Sequence, residues 1–113
     1  MQEIELQQQM LVLMQELEAE MRRQHLWAGY PPPPEAMASL MPFMYDTLKA
    51  YEWLQWVFIP RTQALIDANG RLPGNCNIHP LAEYHLAART DIESARLLEL
   101  VLAIDTLMNQ PRG

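Results

Sequence analysis

The chain has 113 residues, half of them hydrophobic, which is the size of one domain with a packed core. Eight Lys and Arg against fourteen Asp and Glu give a net charge of −6, and this disfavours direct binding to nucleic acid. The one cysteine excludes an intramolecular disulfide framework and favours a reducing compartment. We therefore expect one domain over residues 1–113.

The first residues do not resemble a targeting segment. Residues 1–5 are acidic where a signal peptide is basic. The longest apolar runs, Met10–Met14 and Trp56–Pro60, are far shorter than the roughly 20 residues that cross a bilayer. These features predict a cytoplasmic protein that does not bind membranes.

A long amphipathic helix is predicted from Gln2 to about Trp27, ending at Gly29, because this stretch contains no proline and consists mostly of good helix formers. At 100° per residue its apolar side chains share one arc, and Val12 is the exception on the polar side. The arc contains Leu6, Met10, Leu11, Leu13, Met14, Leu17 and Met21. This pattern predicts one flank of a helical bundle, and a homodimer through this helix is the alternative.

Four prolines, Pro31–Pro34, follow the first helix and predict an extended polyproline linker that carries the chain across the bundle. A docking site for a proline-binding groove is the alternative, but no basic residue flanks the prolines. A short helical turn is expected over Glu35–Leu40.

The central helix is predicted over residues 46–68, capped by Asp46 or Thr47 and apolar on nearly every side. Only a narrow strip with Lys49, Glu52 and Trp56 interrupts the apolar surface. Pro60 lacks an amide hydrogen, so we expect a bend or break there, and Asn69-Gly70 should end the helix.

The rest of the chain reads as a turn and two more helices. Leu72-Pro73-Gly74-Asn75 predicts a type II turn, and a helix should run over Pro80–Arg89 with His79 at its cap. Thr90-Asp91-Ile92-Glu93 reads as a capping box for a last helix from Asp91 to about Met108. No alternating strand pattern appears, so the predicted fold is an all-α, four-helix bundle-like single domain.

Reactive groups do not form a recognisable catalytic or metal-binding pattern. Cys76, Glu83 and the two histidines His79 and His85 are close in sequence, but their spacing matches no common zinc site. Nothing near Cys76 indicates a lowered pKa, and Asp105 is expected to form an ion pair with Arg61 or Arg96. We predict no catalytic residue, no metal and no cofactor.

Trp56 shares the polar strip of the central helix with Lys49 and Glu52, which suits an anchor for a protein partner. A half-buried tryptophan without a partner is the alternative. Basic residues are few and scattered, and aromatic residues do not alternate with them, so direct nucleic-acid binding is not favoured.

The segment Tyr51–Arg61, YEWLQWVFIPR, resembles the signature of the YqcC-like family of small bacterial proteins. His25-Leu26-Trp27, the stretch from Phe43 to Leu48, and the residues Leu72-Pro73-Gly74, Ile78, Pro80 and Tyr84 also match, so the resemblance covers about residues 25–86. It implies an all-helical fold and provides no catalytic residues to transfer. Because genes of this family tend to lie beside one for a tRNA pseudouridine synthase, it also implies a role alongside that enzyme.

Three hypotheses follow. The first is a non-enzymatic helical module that binds a protein partner and is accessory to a tRNA pseudouridine synthase. The second is a small-ligand-binding protein or enzyme with a partly polar cavity at the Pro60 bend, and the third is a direct tRNA binder. The candidate binding residues, for a partner or a ligand, are Lys49, Glu52, Trp53, Gln55, Trp56, Arg61, His79 and Tyr84.

Overall fold

The computed structural model describes residues 1–112, and these form helices joined by turns and extended segments, without a strand. In chain order the helices are α1 (Glu3–Arg23), α2 (Pro34–Met37), α3 (Ala50–Trp53), α4 (Ile59–Asp67), α5 (His79–Ala87) and α6 (Ser94–Met108), with a 3-10 turn at Pro42–Met44 and a π turn at Leu54–Phe58. The predicted all-helical, bundle-like fold is confirmed. No helix of the described residues has the length and apolarity that a membrane crossing requires.

Helix α1 is shorter than predicted because it ends in a Schellman motif at His25, four residues before Gly29. His25 has a left-handed φ of 59°, its N–H donates to the Arg22 carbonyl, and the N–H of Leu26 donates to the Met21 carbonyl at 2.8 Å. Leu26 and Met21 are both buried, which adds the apolar contact typical of this motif. A histidine thus occupies the position that glycine usually takes.

The linker after α1 bends at Gly29 and Tyr30 and has an extended backbone at Pro33, and Pro34 already belongs to the short helix α2. Proline suits this first helical position because its missing N–H would have no partner there. The predicted helical turn over Glu35–Leu40 therefore occurs slightly earlier than expected.

The central helix begins at Ala50, so the prediction that Asp46 or Thr47 caps it was wrong. Lys49 is the N-cap residue, and its backbone N–H donates to the Glu52 carboxylate at 2.9 Å. Pro60 does not break the helix, because α3 continues through the π turn into α4. Within that turn the N–H of Ile59 donates to the carbonyl of Leu54, five residues earlier.

The left-handed stop at the end of α4 is confirmed at Asn69, whose φ is 53°. The prediction of a type II turn at Leu72–Asn75 was wrong. That turn needs a positive φ at Gly74, but the positive φ, 52°, is found at Asn75. Helix α5 starts one residue earlier than predicted, with His79 as its first residue and Ile78 as its N-cap.

The prediction of a capping box at Thr90–Glu93 was also wrong, because α6 begins at Ser94 and its N-cap residue, Glu93, makes no side-chain capping hydrogen bond. Asp91 pairs instead with Arg89, whose guanidinium lowers the pKa of the Asp91 carboxyl. The backbone of Glu93 is bonded to the side-chain amide of Gln24 at the end of α1, as donor and as acceptor. This link to α1 replaces the local cap.

One apolar core joins the helices, with the inner arc of α1 facing α6. Helices α1 and α6 are antiparallel, because Arg96 near the start of α6 pairs with Glu16 of α1 at 3.1 Å, while Met1 meets Pro111. The predicted inner arc of α1 is buried except for Leu11 and Leu13, which are half-buried. The largest fully buried side chains are Leu6, Met10, Leu17, Met21, Leu54, Leu72, Leu86, Leu97, Leu100, Val101, Ile104 and Met108.

Candidate functional site

A surface groove lies where the end of α1, the turn after it and the π turn of the central helix meet. The π turn begins at Leu54 and includes two groove residues, Gln55 and Trp56, while Pro60 closes one end. Turns of this kind are frequent at functional sites because they shift the register of the side chains that follow. The groove is lined by Glu18, Arg22, Trp27, Ala28, Gly29, Gln55, Trp56, Ile59 and Pro60.

Gln55 holds the turn after α1 against the central helix. Its buried side-chain amide accepts from the N–H of Ala28 and donates to the carbonyl of Ala28, both at 2.8 Å. An irregular segment needs such partners because its backbone groups have none from a helix. The pair of hydrogen bonds fixes the position of Trp27 relative to Trp56.

Arg22 and Trp27 form the second wall of the groove. The Arg22 guanidinium lies 5.1 Å from the centre of the Trp27 ring, a cation–π contact, and its Nε donates to Glu18 at 2.9 Å. The charge on Arg22 is therefore matched by a carboxylate, and the groove as a whole is partly polar.

Trp56 forms the opposite wall and is half-buried. Its indole Nε1–H is buried and has no hydrogen-bond partner within residues 1–112. An unpaired buried donor costs about 1–3 kcal/mol, so the ring is held here by packing and not by its polar atom. Two indole rings and the Pro60 ring make this groove suitable for an apolar or aromatic group.

The remaining candidate residues do not converge on the groove. Trp53 packs between Phe43 and Phe58, with ring centres 5.0 and 5.7 Å away, so it contributes to the core. Lys49 and Glu52 lie at the start of the central helix, before the π turn.

Arg61 is exposed on α4, and His79 begins α5. Tyr84 is 77% exposed and rests against His85, with ring centres 5.3 Å apart. Of the eight predicted residues, the structure places only Gln55 and Trp56 in the groove. Sequence reasoning missed Arg22 and Glu18, which look like ordinary surface residues of α1.

Asp105 organises a second polar cluster, and the expected ion pair with Arg61 or Arg96 was wrong. Its carboxylate accepts from the N–H of Ile78 at 2.9 Å and of His79 at 2.8 Å, so it caps α5 from a different helix. Arg96 pairs instead with two glutamates. A buried aspartate therefore finds its partners in backbone amides and not in an arginine.

The thiol of Cys76 also donates to Asp105, at 3.1 Å. Burial, followed by the hydrogen bond and the negative charge of Asp105, raises the pKa of Cys76 to about 12. The reactive thiolate is therefore scarce at neutral pH. Within residues 1–112, no group of three or more His, Cys, Asp and Glu side chains is placed to share a metal ion, and Glu83 and His85 do not join Cys76.

Fold and groove together describe a small all-helical protein with a partly polar surface groove as its candidate site. The family model described as DUF446, tRNA pseudouridine synthase C, matches residues 9–107. The solution NMR structure of YqcC from Escherichia coli has a TM-score of 0.78 and 33% sequence identity, and the match covers 96% of this chain and 92% of that one. The chain belongs to this YqcC-like family.

Two further relatives match this chain over most of their length. A protein of Haemophilus influenzae named only as uncharacterized is 38% identical over 96 residues, which is 85% of this chain and 89% of that protein. YqcC of Escherichia coli is 41% identical over 78 residues, which is 69% of this chain and 70% of that protein.

A third relative is much longer than the matching segment. The tRNA pseudouridine synthase C of Pectobacterium carotovorum subsp. carotovorum is 47% identical over 58 residues, which is 51% of this chain but 15% of that protein. Most of that protein therefore lies outside the similarity.

Proposed function

We propose that this chain is a non-enzymatic helical interaction module that acts as an accessory to a tRNA pseudouridine synthase in the bacterial cytoplasm. The observation that carries the proposal is a segment 47% identical to half of this chain inside a protein named tRNA pseudouridine synthase C. The segment makes up 15% of that protein, so in that protein it is joined to a much longer remainder.

Fusion into one polypeptide and binding as separate chains both keep an accessory module close to the enzyme. When two modules are joined in one chain, each is held near the other at an effective concentration of about millimolar, even without a strong interface. A module that is not joined to the synthase must achieve the same proximity through its surface. We therefore expect this chain to bind the synthase of its own genome directly.

The charge and chemistry of the chain support an accessory role. The raised pKa of Cys76 argues against a nucleophilic thiol, and the Trp-lined groove offers aromatic surface that suits binding. A net charge of −6 repels phosphate, so in the complex the synthase would supply the contact with tRNA.

The proposed contact surface is centred on Trp56 and Gln55. The other candidate contacts predicted from the sequence lie outside the groove, and they are Lys49, Glu52, Trp53, Arg61, His79 and Tyr84. Tryptophan and arginine are the residue types that most often dominate binding energy. Truncation of Trp56 should therefore weaken the complex more than truncation of any rim residue.

The test is to purify the chain with the synthase of the same genome and measure binding by calorimetry. We expect a one-to-one complex, and at least ten-fold weaker binding for Trp56→Ala, which is about 1.4 kcal/mol. Pseudouridine formation on tRNA by the synthase should change when the chain is added, while the chain alone should neither modify nor retain tRNA. If the two proteins do not associate, the proposal is wrong.

A second candidate function is the binding of a small ligand in the groove, since the structure has the partly polar concavity at Pro60 that this hypothesis requires. Trp27 and Trp56 would report such binding by fluorescence. A screen of aromatic and amphipathic metabolites that leaves the tryptophan emission unchanged would exclude it.

A further inference from the structure

A second groove runs between α1 and α6, on the outer side of the helix pair that forms much of the core. Val12 is 52% exposed and Leu102 is 50% exposed, and both line this groove together with Leu13, Ala103 and Leu107, which are half-buried or buried. Met1 and Glu99 also line the groove.

The core does not require this apolar surface. Helix α1 already buries Met10, Met14 and Leu17, and Val12 lies on the side of the helix that otherwise carries polar residues. Leu40 is exposed in a connecting segment, whereas Val12 and Leu102 line one groove between two helices. Continuous exposed apolar surface marks an interaction site more reliably than scattered residues do.

The charges beside the groove are mainly negative and indicate what kind of partner fits. On α1, Glu5 lies one turn before Gln9 and Glu16 one turn after Val12, and Glu99 lines the groove from α6. Arg96 is already bound to both Glu16 and Glu99, at 3.1 Å each. Three carboxylates against the Arg96 guanidinium and the Met1 ammonium, which lines the groove and donates to the Pro111 carbonyl, leave a rim with one net negative charge.

A second copy of this chain would bring the same negative rim against itself, in addition to a net charge of −6 on each copy. A homodimer through α1 is therefore disfavoured. A partner with Lys or Arg beside its own apolar stripe complements the groove in both charge and polarity. Two antiparallel helices present a trough that a third, amphipathic helix fills, with anchors spaced at i, i+3, i+4 and i+7.

We propose that the α1–α6 groove is a docking surface for an amphipathic helix with basic flanks, carried by the tRNA pseudouridine synthase. This inference rests on the proposed function, and it adds a surface separate from the Trp56 groove. An enzyme that binds tRNA needs basic surface for the phosphates, so it has the residue types that this rim would attract.

The test uses the double variant Val12→Glu, Leu102→Glu, which adds charge at two half-exposed positions. Binding to the synthase should weaken at least ten-fold by calorimetry, whereas Leu40→Glu, at a position 99% exposed and outside the groove, should leave it unchanged. The uncharged pair Val12→Gln, Leu102→Gln should also weaken binding, and it tests the groove if the charged pair disturbs folding by circular dichroism. Glu99→Lys should reduce both the affinity and its dependence on salt.

The possible outcomes separate the two proposals. If wild type binds the synthase and Trp56→Ala weakens the complex but the Val12 and Leu102 variants do not, the docking surface is wrong and the proposed function stands. If wild type does not bind the synthase, both are wrong. If the wild type instead forms a dimer that the Val12 and Leu102 variants abolish, a second copy occupies the groove and this inference is overturned.

Discussion

The side-chain amide of Gln55 and the backbone of Ala28 exchange two hydrogen bonds of 2.8 Å, as two paired strands would. The same arrangement recurs where Gln24 bonds both backbone groups of Glu93, and where Asn109 bonds both backbone groups of Cys76 at 2.8 Å. Amide side chains carry a donor and an acceptor side by side, which suits this pairing. In this fold, helices hold the irregular segments in place through such pairs.

Replacing Gln55 by leucine should destabilise the protein by about 1–2 kcal/mol, measured as the free energy of unfolding in urea. The volume is kept, but the Ala28 N–H and carbonyl lose both partners. Because Ala28 is exposed, water can replace part of what is lost, and this limits the cost.

Gln63→Leu is the matched control for this prediction. Gln63 lies on α4 in the same continuous helix, and its amide bonds only the Asp67 side chain one turn away, at 2.9 Å. Surface pairs of this kind contribute a few tenths of a kcal/mol. Equal destabilisation by the two substitutions would show that the two hydrogen bonds to Ala28 contribute no more to stability than an ordinary surface pair.

Replacing His25 by glycine should stabilise the protein by about 0.5–1 kcal/mol. His25 has a left-handed φ of 59°, where a side chain with a Cβ is strained and glycine is not. Part of the gain is lost because glycine is more flexible in the unfolded chain. The measurement is thermal unfolding, compared with Gln15→Gly in the middle of α1, which should destabilise by about 1 kcal/mol.

The sequence predicted the helices well because their apolar periodicity is a property of each segment alone. The buried arc of α1 and the left-handed stop at Asn69 are local patterns of this kind. The caps were predicted poorly because their partners are distant. Glu93 is 69 residues from Gln24, and Asp105 is 26 residues from the His79 amide that it caps, so no local pattern could reveal either.

The candidate site was also only partly predictable from the sequence. Gln55 and Trp56 were identified because they belong to the signature of the central helix, and Pro60 correctly indicated an irregularity there. The π turn itself was not predicted, because a missing amide is equally compatible with a kink or with a wider turn. Arg22 lines the groove because α1 ends at Arg23 and the chain then turns, which places the Trp27 ring under the Arg22 guanidinium.

The stability of the protein should fall in alkali through Cys76. Its pKa is about 12 in the folded protein, against an ordinary value of 9.0 expected in the unfolded chain. Between these values the unfolded chain has lost the proton and the folded protein retains it, so raising the pH favours unfolding. The stabilising contribution is complete below about pH 9 and is lost progressively as the pH approaches 12.

The measurement is the difference between wild type and a variant without the thiol, so that the effects of all other groups cancel. Urea unfolding of wild type and Cys76→Ala at several values between about pH 8 and pH 11 should show a steeper decline for wild type. The ultraviolet thiolate absorbance, taken as the difference between wild type and Cys76→Ala so that the tyrosine signal cancels, should appear in the folded protein only near the upper end. Parallel declines for the two proteins would mean that Cys76 titrates in the folded state as it does in the unfolded chain.

Replacing Trp56 by phenylalanine should cost less than about 1 kcal/mol of unfolding free energy, whereas Trp56→Ala should cost about 2–3. Phenylalanine keeps an aromatic wall and removes the buried indole N–H that has no partner within the described residues. Trp53→Phe is the control, because the Trp53 ring fills the core between Phe43 and Phe58, and it should be more destabilising. If Trp56→Phe is as harmful as Trp56→Ala, the indole N–H has a hydrogen-bond partner such as water, and loss of that bond rather than of packing determines the cost.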